Sequence, residues 1–404
     1  MSQVHANSST KMTRIVIIGG GAAGINMAQA LARKLTPADN TEVVVLEKNA
    51  YYYHVVGAPR AYVDANYTKK MFIPYDKSIP SQAANFVWIV RGVATSISVD
   101  SNEVSYHSID RDDKQSETIE KLPFDYLVLA MGSTYSVPIK QDSHDYARST
   151  TESKLQEVRS AIESAEKILI VGGGAVGCEV AAEIKTKYPS KTVTIIEAHN
   201  KLIAGNNLTD KFYTRLNARL ETLGVKIILG ERLTERLSGN CLEKRTLRTD
   251  KGTEIESDIQ LLCGGFSPVG QLVEDMDSSL VTDRGAVRVN NQLQLEGDKY
   301  RHMFAIGDVC NHPSPKMAFI AAQQSKFLST QLIAVIRKTQ LGFTKPFKAP
   351  GTAAMILPLG PSGGVSQLPV WGGAVVGDWF TRMIKSKDYF ASLTWSSLGA
   401  TAPR

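Results

Sequence analysis

The sequence predicts an α/β protein built from two Rossmann-like dinucleotide-binding domains and a small α+β C-terminal domain. Two short apolar runs, Ile15–Ile18 and Ile168–Val171, each enter a glycine-rich turn. The turns read Gly19-Gly20-Gly21-Ala22-Ala23-Gly24 and Gly172-Gly173-Gly174-Ala175-Val176-Gly177. Each is followed by a helical pattern and a second apolar strand that ends in an acid about 20 residues past the helix start. Those acids are Glu47, with Lys48 beside it, and Glu197.

The glycines of each turn have separate tasks. Gly19 and Gly172 permit the sharp strand-to-helix turn, Gly21 and Gly174 let the backbone approach a pyrophosphate, and Gly24 and Gly177 allow close helix-on-sheet packing. The pyrophosphate then meets a helix N-terminus, Ala22-Ala23 in one copy and Ala175-Val176 in the other. Unpaired N–H groups and the helix dipole favour an anion there. The carboxylates of Glu47 and Glu197 suit ribose hydroxyls. One such turn is a weak signal; two, each with its downstream acid, point to two dinucleotides on one chain.

The elements follow in order. The first unit reads as strand Arg14–Ile18, helix Ala22–Leu35, a stop at Thr36-Pro37 and strand Glu42–Leu46. A later apolar strand, Phe124–Leu129, leads into the small-residue turn Ala130-Met131-Gly132-Ser133. A charged stretch, Tyr146–Ser164, precedes the second unit, which closes on Asp258–Cys263 and the turn Gly264-Gly265. Each unit thus carries the same parts in the same order. The run Tyr300–Ile306 then ends in Gly307-Asp308, and Pro315-Lys316-Met317-Ala318 opens a helix reaching Arg337. Lys345–Pro350 reads as a linker.

Composition bounds the rest. The 404 residues allow two or three domains with sizeable cores, and 43% hydrophobic with 21% charged residues is the balance of a soluble globular protein. The net charge of +6 is spread along the chain. It suits anionic cofactors or an acidic membrane surface and is too diffuse to point to nucleic acid. Cys178, Cys241, Cys263 and Cys310 form no closely spaced pair, a reducing-compartment pattern that supplies neither a redox disulfide nor a metal site. Cys178 and Cys310 read as small buried fillers. No apolar run reaches the ~18 residues of a membrane span. Residues 1–11 read as a disordered tail with no targeting signal, and Ser2 stands where N-myristoylation requires glycine. The expectation is a cytoplasmic protein, with peripheral contact at a membrane or lipid droplet.

With these motifs in hand, the chain resembles the flavoproteins that hold FAD in one dinucleotide-binding domain and NAD(P)H in a second inserted into it. Within that superfamily it is similar to the ferroptosis-suppressor and apoptosis-inducing-factor-like group. The stretches that carry this are Gly173–Thr186, Pro315–Ala318 and Lys385-Ser386-Lys387-Asp388. The resemblance implies an FAD-binding domain over 12–150 and 268–345 and an NAD(P)H domain over 151–267. It implies a C-terminal domain over 346–404 facing quinone or membrane. It further implies reduction of a lipid-soluble, ubiquinone-like quinone that protects lipid from peroxidation. Apoptosis-inducing-factor-like signalling and an NADH oxidase using oxygen are the alternatives. A disulfide reductase would need a cysteine pair beside the flavin.

Site residues follow from the same reading. Asp308 ends its strand, where its carboxylate can accept from the ribityl chain of FAD. Lys316, Met317 and Ala318 begin a helix whose N–H groups would face the flavin pyrimidine edge. The family pattern sets Arg60 and Ala94 against FAD, Ala130 and Gly132 in the first cradle, and Gly265 in the second. His54 reads as a hydrogen-bonded structural residue, with a place near the flavin ring as the alternative. Glu179, one turn into its helix, is expected near nicotinamide or flavin, and the family match brings Lys385 to the flavin or quinone region; these two are the candidate catalytic residues. Glu197 favours NADH, because a carboxylate repels a 2′-phosphate, while His199 and Lys201 leave NADPH open. The quinone motif of type II NADH dehydrogenases is incomplete, with Ala322-Gln323 present but Leu328 at the second Gln position. Trp371, Trp379, Phe380 and Met383 among Arg382, Lys385 and Lys387 suit an interfacial surface.

Overall fold

The computed structural model describes residues 11–142, 144–349, 351 and 354–403. Apart from Lys11, the tail expected over 1–11 lies outside the described residues. The chain forms two compact units. The first draws on the stretch up to Ala50, Tyr75–Ser133 and Ser267–Lys348; the second draws on Tyr51–Pro74, Thr134–Phe266 and the stretch from Ala349 onward. The stretch expected as a separate C-terminal domain, 346–404, therefore contributes to the second unit from residue 349.

The first unit is organised on a seven-stranded sheet. Its order is Met303–Ala305, Tyr126–Leu129, Thr13–Ile18, Thr41–Glu47, Val87–Ser98, Glu103–Ile109 and Gln115–Pro123. The first five strands are parallel, and the last two are antiparallel additions. Burial explains the parallel part: Ile15, Val16 and Ile17 are wholly buried, as are Val43 and Val45, so both faces of these strands are covered. The strand Val87–Ser98 serves both halves, pairing parallel with Thr41–Glu47 through Val87–Arg91 and antiparallel from Gly92 on. Helices Ala22–Ala32 and Ala318–Ile336 pack together, and the Ser325 hydroxyl donates to the Ala23 carbonyl at 2.8 Å.

The second unit repeats the plan on a smaller scale. Four parallel strands run in the order Val225–Leu229, Thr192–Glu197, Lys167–Val171, Ile259–Leu262. The charged stretch before it is a helix, Arg148–Ser164, whose buried residues Thr151, Leu155, Val158 and Ile162 recur every three or four positions. The C-terminal part adds the antiparallel strands Met355–Pro358, Gly364–Leu368 and Ala374–Val376. A short helix, Asp378–Thr381, runs into a π-helical turn, Arg382–Ser386, and the helix Ala391–Ser397 follows.

Space at the glycines fixes which substitutions the turns accept. A Cβ on Gly24 would lie 1.8 Å from the Gly19 carbonyl oxygen, whereas one on Gly21 meets nothing within 4 Å. Urea unfolding of the cofactor-stripped protein is expected to show Gly24→Ala losing more than about 2 kcal/mol. Gly21→Ala is expected to lose about 1 kcal/mol or less.

Candidate dinucleotide sites

In the first cradle the carboxylate of Glu47, buried at the end of its strand, reaches back to the turn. Its Oε2 accepts the Gly20 N–H at 2.5 Å, and its Oε1 accepts the backbone and side-chain N–H groups of Asn49, each at 2.8 Å. The Gly19 N–H donates to the Leu46 carbonyl, and the Tyr75 hydroxyl to the Gly20 carbonyl. A Cβ on Gly19 would lie 2.6 Å from the Ala130 carbonyl oxygen, so the two small-residue turns are in contact. Gly21 and Gly132 face open space. A dinucleotide fits there, because the groove a Cβ would fill is bordered by the free N–H groups at the start of helix Ala22–Ala32.

Of the remaining first-unit residues, Asp308, Lys316 and Met317 line a small pocket with Gly307, Pro315 and Ile320. Asp308 accepts from the Ser133 hydroxyl at 2.7 Å. Gln324, fully buried and not foreseen from the sequence, accepts the Gly307 N–H at 2.7 Å and donates to Ser314 at 3.2 Å. Two expectations change in detail. The Met317 N–H donates to the Pro315 carbonyl, so the helix-start donors available to a flavin are those of Ala318, Phe319 and Ile320. Lys316 directs its ammonium to the carbonyls of Cys310 and His312, holding the loop. Ala94 lies where the pairing register of its strand shifts, and the carbonyl of Lys48 accepts from Arg91.

The second cradle reproduces the first. Gly172, at φ +112°, donates its N–H to Ile196, and Gly173 donates to Glu197 Oε2 at 2.7 Å. A Cβ on Gly177 would lie 2.0 Å from the Gly172 carbonyl oxygen, while Gly174 and Gly265 open onto free space. Glu197 Oε1 accepts both the backbone N–H of His199 at 2.9 Å and its ring Nδ1 at 2.5 Å. Burial pushes the Glu197 carboxyl up, but the donors from His199 and Gly173 outweigh it and hold it below the ordinary range.

The helix that begins at Ala175 carries a buried ionic cluster. Glu179 pairs with Lys385 at 2.9 Å, and the Lys385 ammonium also donates to the Ile356 carbonyl. The structure thus brings the two candidate catalytic residues together. Burial raises the Glu179 carboxyl above its usual range, with Lys385 opposing. Arg60, expected against FAD, instead forks both N–H arms onto Glu183 at 2.6 and 2.8 Å and donates to the Ser386 carbonyl. The Tyr389 hydroxyl completes the ring at 3.1 Å from Glu183. Glu183 and Tyr389 went unread. Their signal was the spacing, since Glu179 and Glu183 fall on one helix face and two buried acids there need two cations. His54 is the hydrogen-bonded structural residue expected, with Nε2 2.9 Å from the Tyr389 carbonyl oxygen.

All four cysteines are free, and Cys178, Cys263 and Cys310 are buried. Burial pushes the Cys263 thiol up to about 12 and raises those of Cys178 and Cys310 as well, which leaves little thiolate for exchange.

Residues 13–325 match the model of the pyridine nucleotide-disulphide oxidoreductases. The chain belongs to this family. It is therefore an oxidoreductase, and the two cradles are those of a protein that binds FAD and NAD(P)H. The human ferroptosis suppressor protein 1 is 31% identical over the full length of both chains, and its Xenopus tropicalis counterpart is 30% identical over 98% of this chain and 99% of its own. Apoptosis-inducing factor homolog B of Dictyostelium discoideum is 29% identical, over 98% of this chain and 99% of its own. The sulfide:quinone oxidoreductase of Aquifex aeolicus superposes with a TM-score of 0.72 at 16% identity, over 97% of this chain and 93% of that one, a likeness of fold alone.

Two outcomes follow from the cluster. Arg60→Met leaves Glu183 buried without its partner and is expected to cost about 3–5 kcal/mol in urea unfolding, most of which the double variant Arg60→Met/Glu183→Leu recovers. Burial also pushes the His54 imidazole down from 6.5 to about 4, with the Tyr389 carbonyl opposing. The unfolded chain then takes up that proton first. Stability is complete above about pH 6.5 and declines as the pH falls toward 4, by about 3 kcal/mol, and His54→Gln removes that component of the pH profile.

Proposed function

We propose that this protein is an FAD-dependent NAD(P)H:quinone oxidoreductase that reduces a ubiquinone-like lipid quinone and so protects lipid from peroxidation. NADH is the preferred donor. The observation that carries the reading is the pair of like cradles on one chain that has no accessible thiol pair. Electrons that enter from a nicotinamide must then leave to an acceptor other than a disulfide. The full-length likeness to proteins named ferroptosis suppressor protein 1 supports a quinone as that acceptor.

Bound FAD would supply a redox centre that takes a hydride from reduced nicotinamide and returns electrons to an acceptor. The chain's own residues do the positioning. Gly21 and Gly132 leave room for one pyrophosphate, Gly174 and Gly265 for the other, and Glu47 and Glu197 hold the turns and present a carboxylate to a ribose. The N–H groups that open helix Ala318–Ile336 would favour negative charge on a flavin bound beside them. The Lys385 ammonium, held by Glu179, is a proton source for a quinone oxygen.

The C-terminal stretch supports contact with a lipid surface. Trp371 is 93% exposed, Trp379 75% and Met383 55%, and Arg382 and Lys387 are exposed beside them in sequence. Aromatic and cationic side chains together suit the lipid–water boundary. Among the described residues, no helix is long and apolar enough to cross a membrane.

The test is anaerobic. NADH is expected to bleach the flavin absorbance of the FAD-loaded protein, and a short-tailed ubiquinone to restore it promptly. Bleaching that persists with quinone and reverses only when air is admitted rejects the quinone assignment in favour of an oxidase. Bleaching that is slow and long-lived points to a signalling flavoprotein.

A further inference from the structure

Two segments of the first unit border the small pocket beside Asp308, and they belong to different elements. One is the turn Gly307-Asp308 that follows strand Met303–Ala305; the other is the loop 314–317 that leads into helix Ala318–Ile336. A single buried amide, that of Gln324 in the second turn of the helix, reaches both. Gly307 stands at φ +78°, in the left-handed region, and its N–H can only donate. The Gln324 oxygen must therefore face it, at 2.7 Å. That turns the amide nitrogen to the Ser314 hydroxyl, at 3.2 Å. Ser314 also donates its backbone N–H to His312 Nδ1 at 3.2 Å, and its hydroxyl lies 3.0 Å from the same nitrogen. A ring nitrogen that accepts an N–H carries no proton, so the hydroxyl donates to His312 and its oxygen accepts from Gln324. The direction of every bond in the run is thus fixed, and buried His312 anchors its far end. Lys316 acts differently. Its ammonium donates to the Cys310 and His312 carbonyls of its own loop, which fixes the loop's shape rather than its place on the helix.

Resting on the flavin reading above, we propose that Gln324 is a positioning residue that tunes the reduction potential of the flavin. The two segments it joins do different work. The Asp308 carboxylate suits the hydroxyl chain of the cofactor, whose charge is the same in both redox states. The N–H groups that open the helix favour negative charge, which reduction adds to the ring. The link from Gln324 to Ser314 holds the helix-start segment in register with the Asp308 turn. Cutting it therefore weakens the binding of reduced FAD more than that of oxidised FAD.

The test compares FAD-loaded wild type with Gln324→Met, which keeps the length of the side chain and removes both hydrogen bonds. The bound flavin is titrated anaerobically with dithionite against a reference dye. The ratio of the oxidised to the reduced FAD Kd is expected to fall about tenfold, a drop of about 30 mV in the two-electron midpoint potential. Ser314→Ala leaves Gly307 held and cuts the link to the loop; it is expected to give a similar drop. The double variant is expected to drop no further than Gln324→Met alone, because both changes break one link. An unchanged potential in both single variants, with only the stability of the flavin-free protein lowered, overturns the positioning role. Additive drops in the double variant, or a drop confined to Gln324→Met, overturn the link through Ser314. Failure of the wild-type protein to bind FAD rejects the flavin site itself, and the inference with it.

Discussion

Each nucleotide unit hangs on a carboxylate that reaches back from a strand end to the middle glycine of its own turn. Glu47 holds the Gly20 N–H and Glu197 the Gly173 N–H. That single contact ties the second strand to the strand-to-helix turn and satisfies a backbone donor that would otherwise be buried unpaired. The rest of each cradle follows from it. With the turn held, the third glycine can seat the helix against the carbonyl of the first. The second glycine and the small-residue turn from the return strand then border open space. The pocket is thus a consequence of where Cβ atoms are missing.

In the second unit the cradle helix does two jobs. Its N-terminus faces the groove left by Gly174, and one turn in it presents Glu179 and then Glu183 to the C-terminal segment. Two carboxylates on one buried helix face repel each other, and the chain answers with Lys385 and Arg60 from opposite ends of the sequence. The π-helical turn Arg382–Ser386 places the Lys385 ammonium and the Ser386 carbonyl within reach of that face. The C-terminal segment is therefore anchored ionically to the helix that opens the second cradle.

Much of the fold was legible in the sequence, because a parallel strand buried on both faces is apolar along its length and a Rossmann turn needs glycine at fixed spacings. Both cradles, both acids, the return strands and the long helix after Met317 were readable on those grounds. What escaped depends on partners far apart in the chain. Nothing local marks Arg60 as the mate of Glu183, across 123 positions, or Gln324 as the acceptor for Gly307. The helix Arg148–Ser164 was obscured by its charge, with only four buried positions in seventeen residues to carry the period. The Met317 N–H was misassigned because one residue of turn geometry decides whether a cap donor faces the ligand or the preceding proline.

Two cradles of this kind on one chain should hold two different dinucleotides, one in each. The most direct measurement is stoichiometry on the purified protein: flavin released on denaturation, counted by absorbance, and NAD+ bound to the flavin-loaded protein, counted by equilibrium dialysis. About one flavin and one nicotinamide nucleotide per chain are expected, bound without competition. Displacement of flavin by NAD+, or a total of one nucleotide per chain, would mean that one of the two cradles is a glycine-rich turn and nothing more.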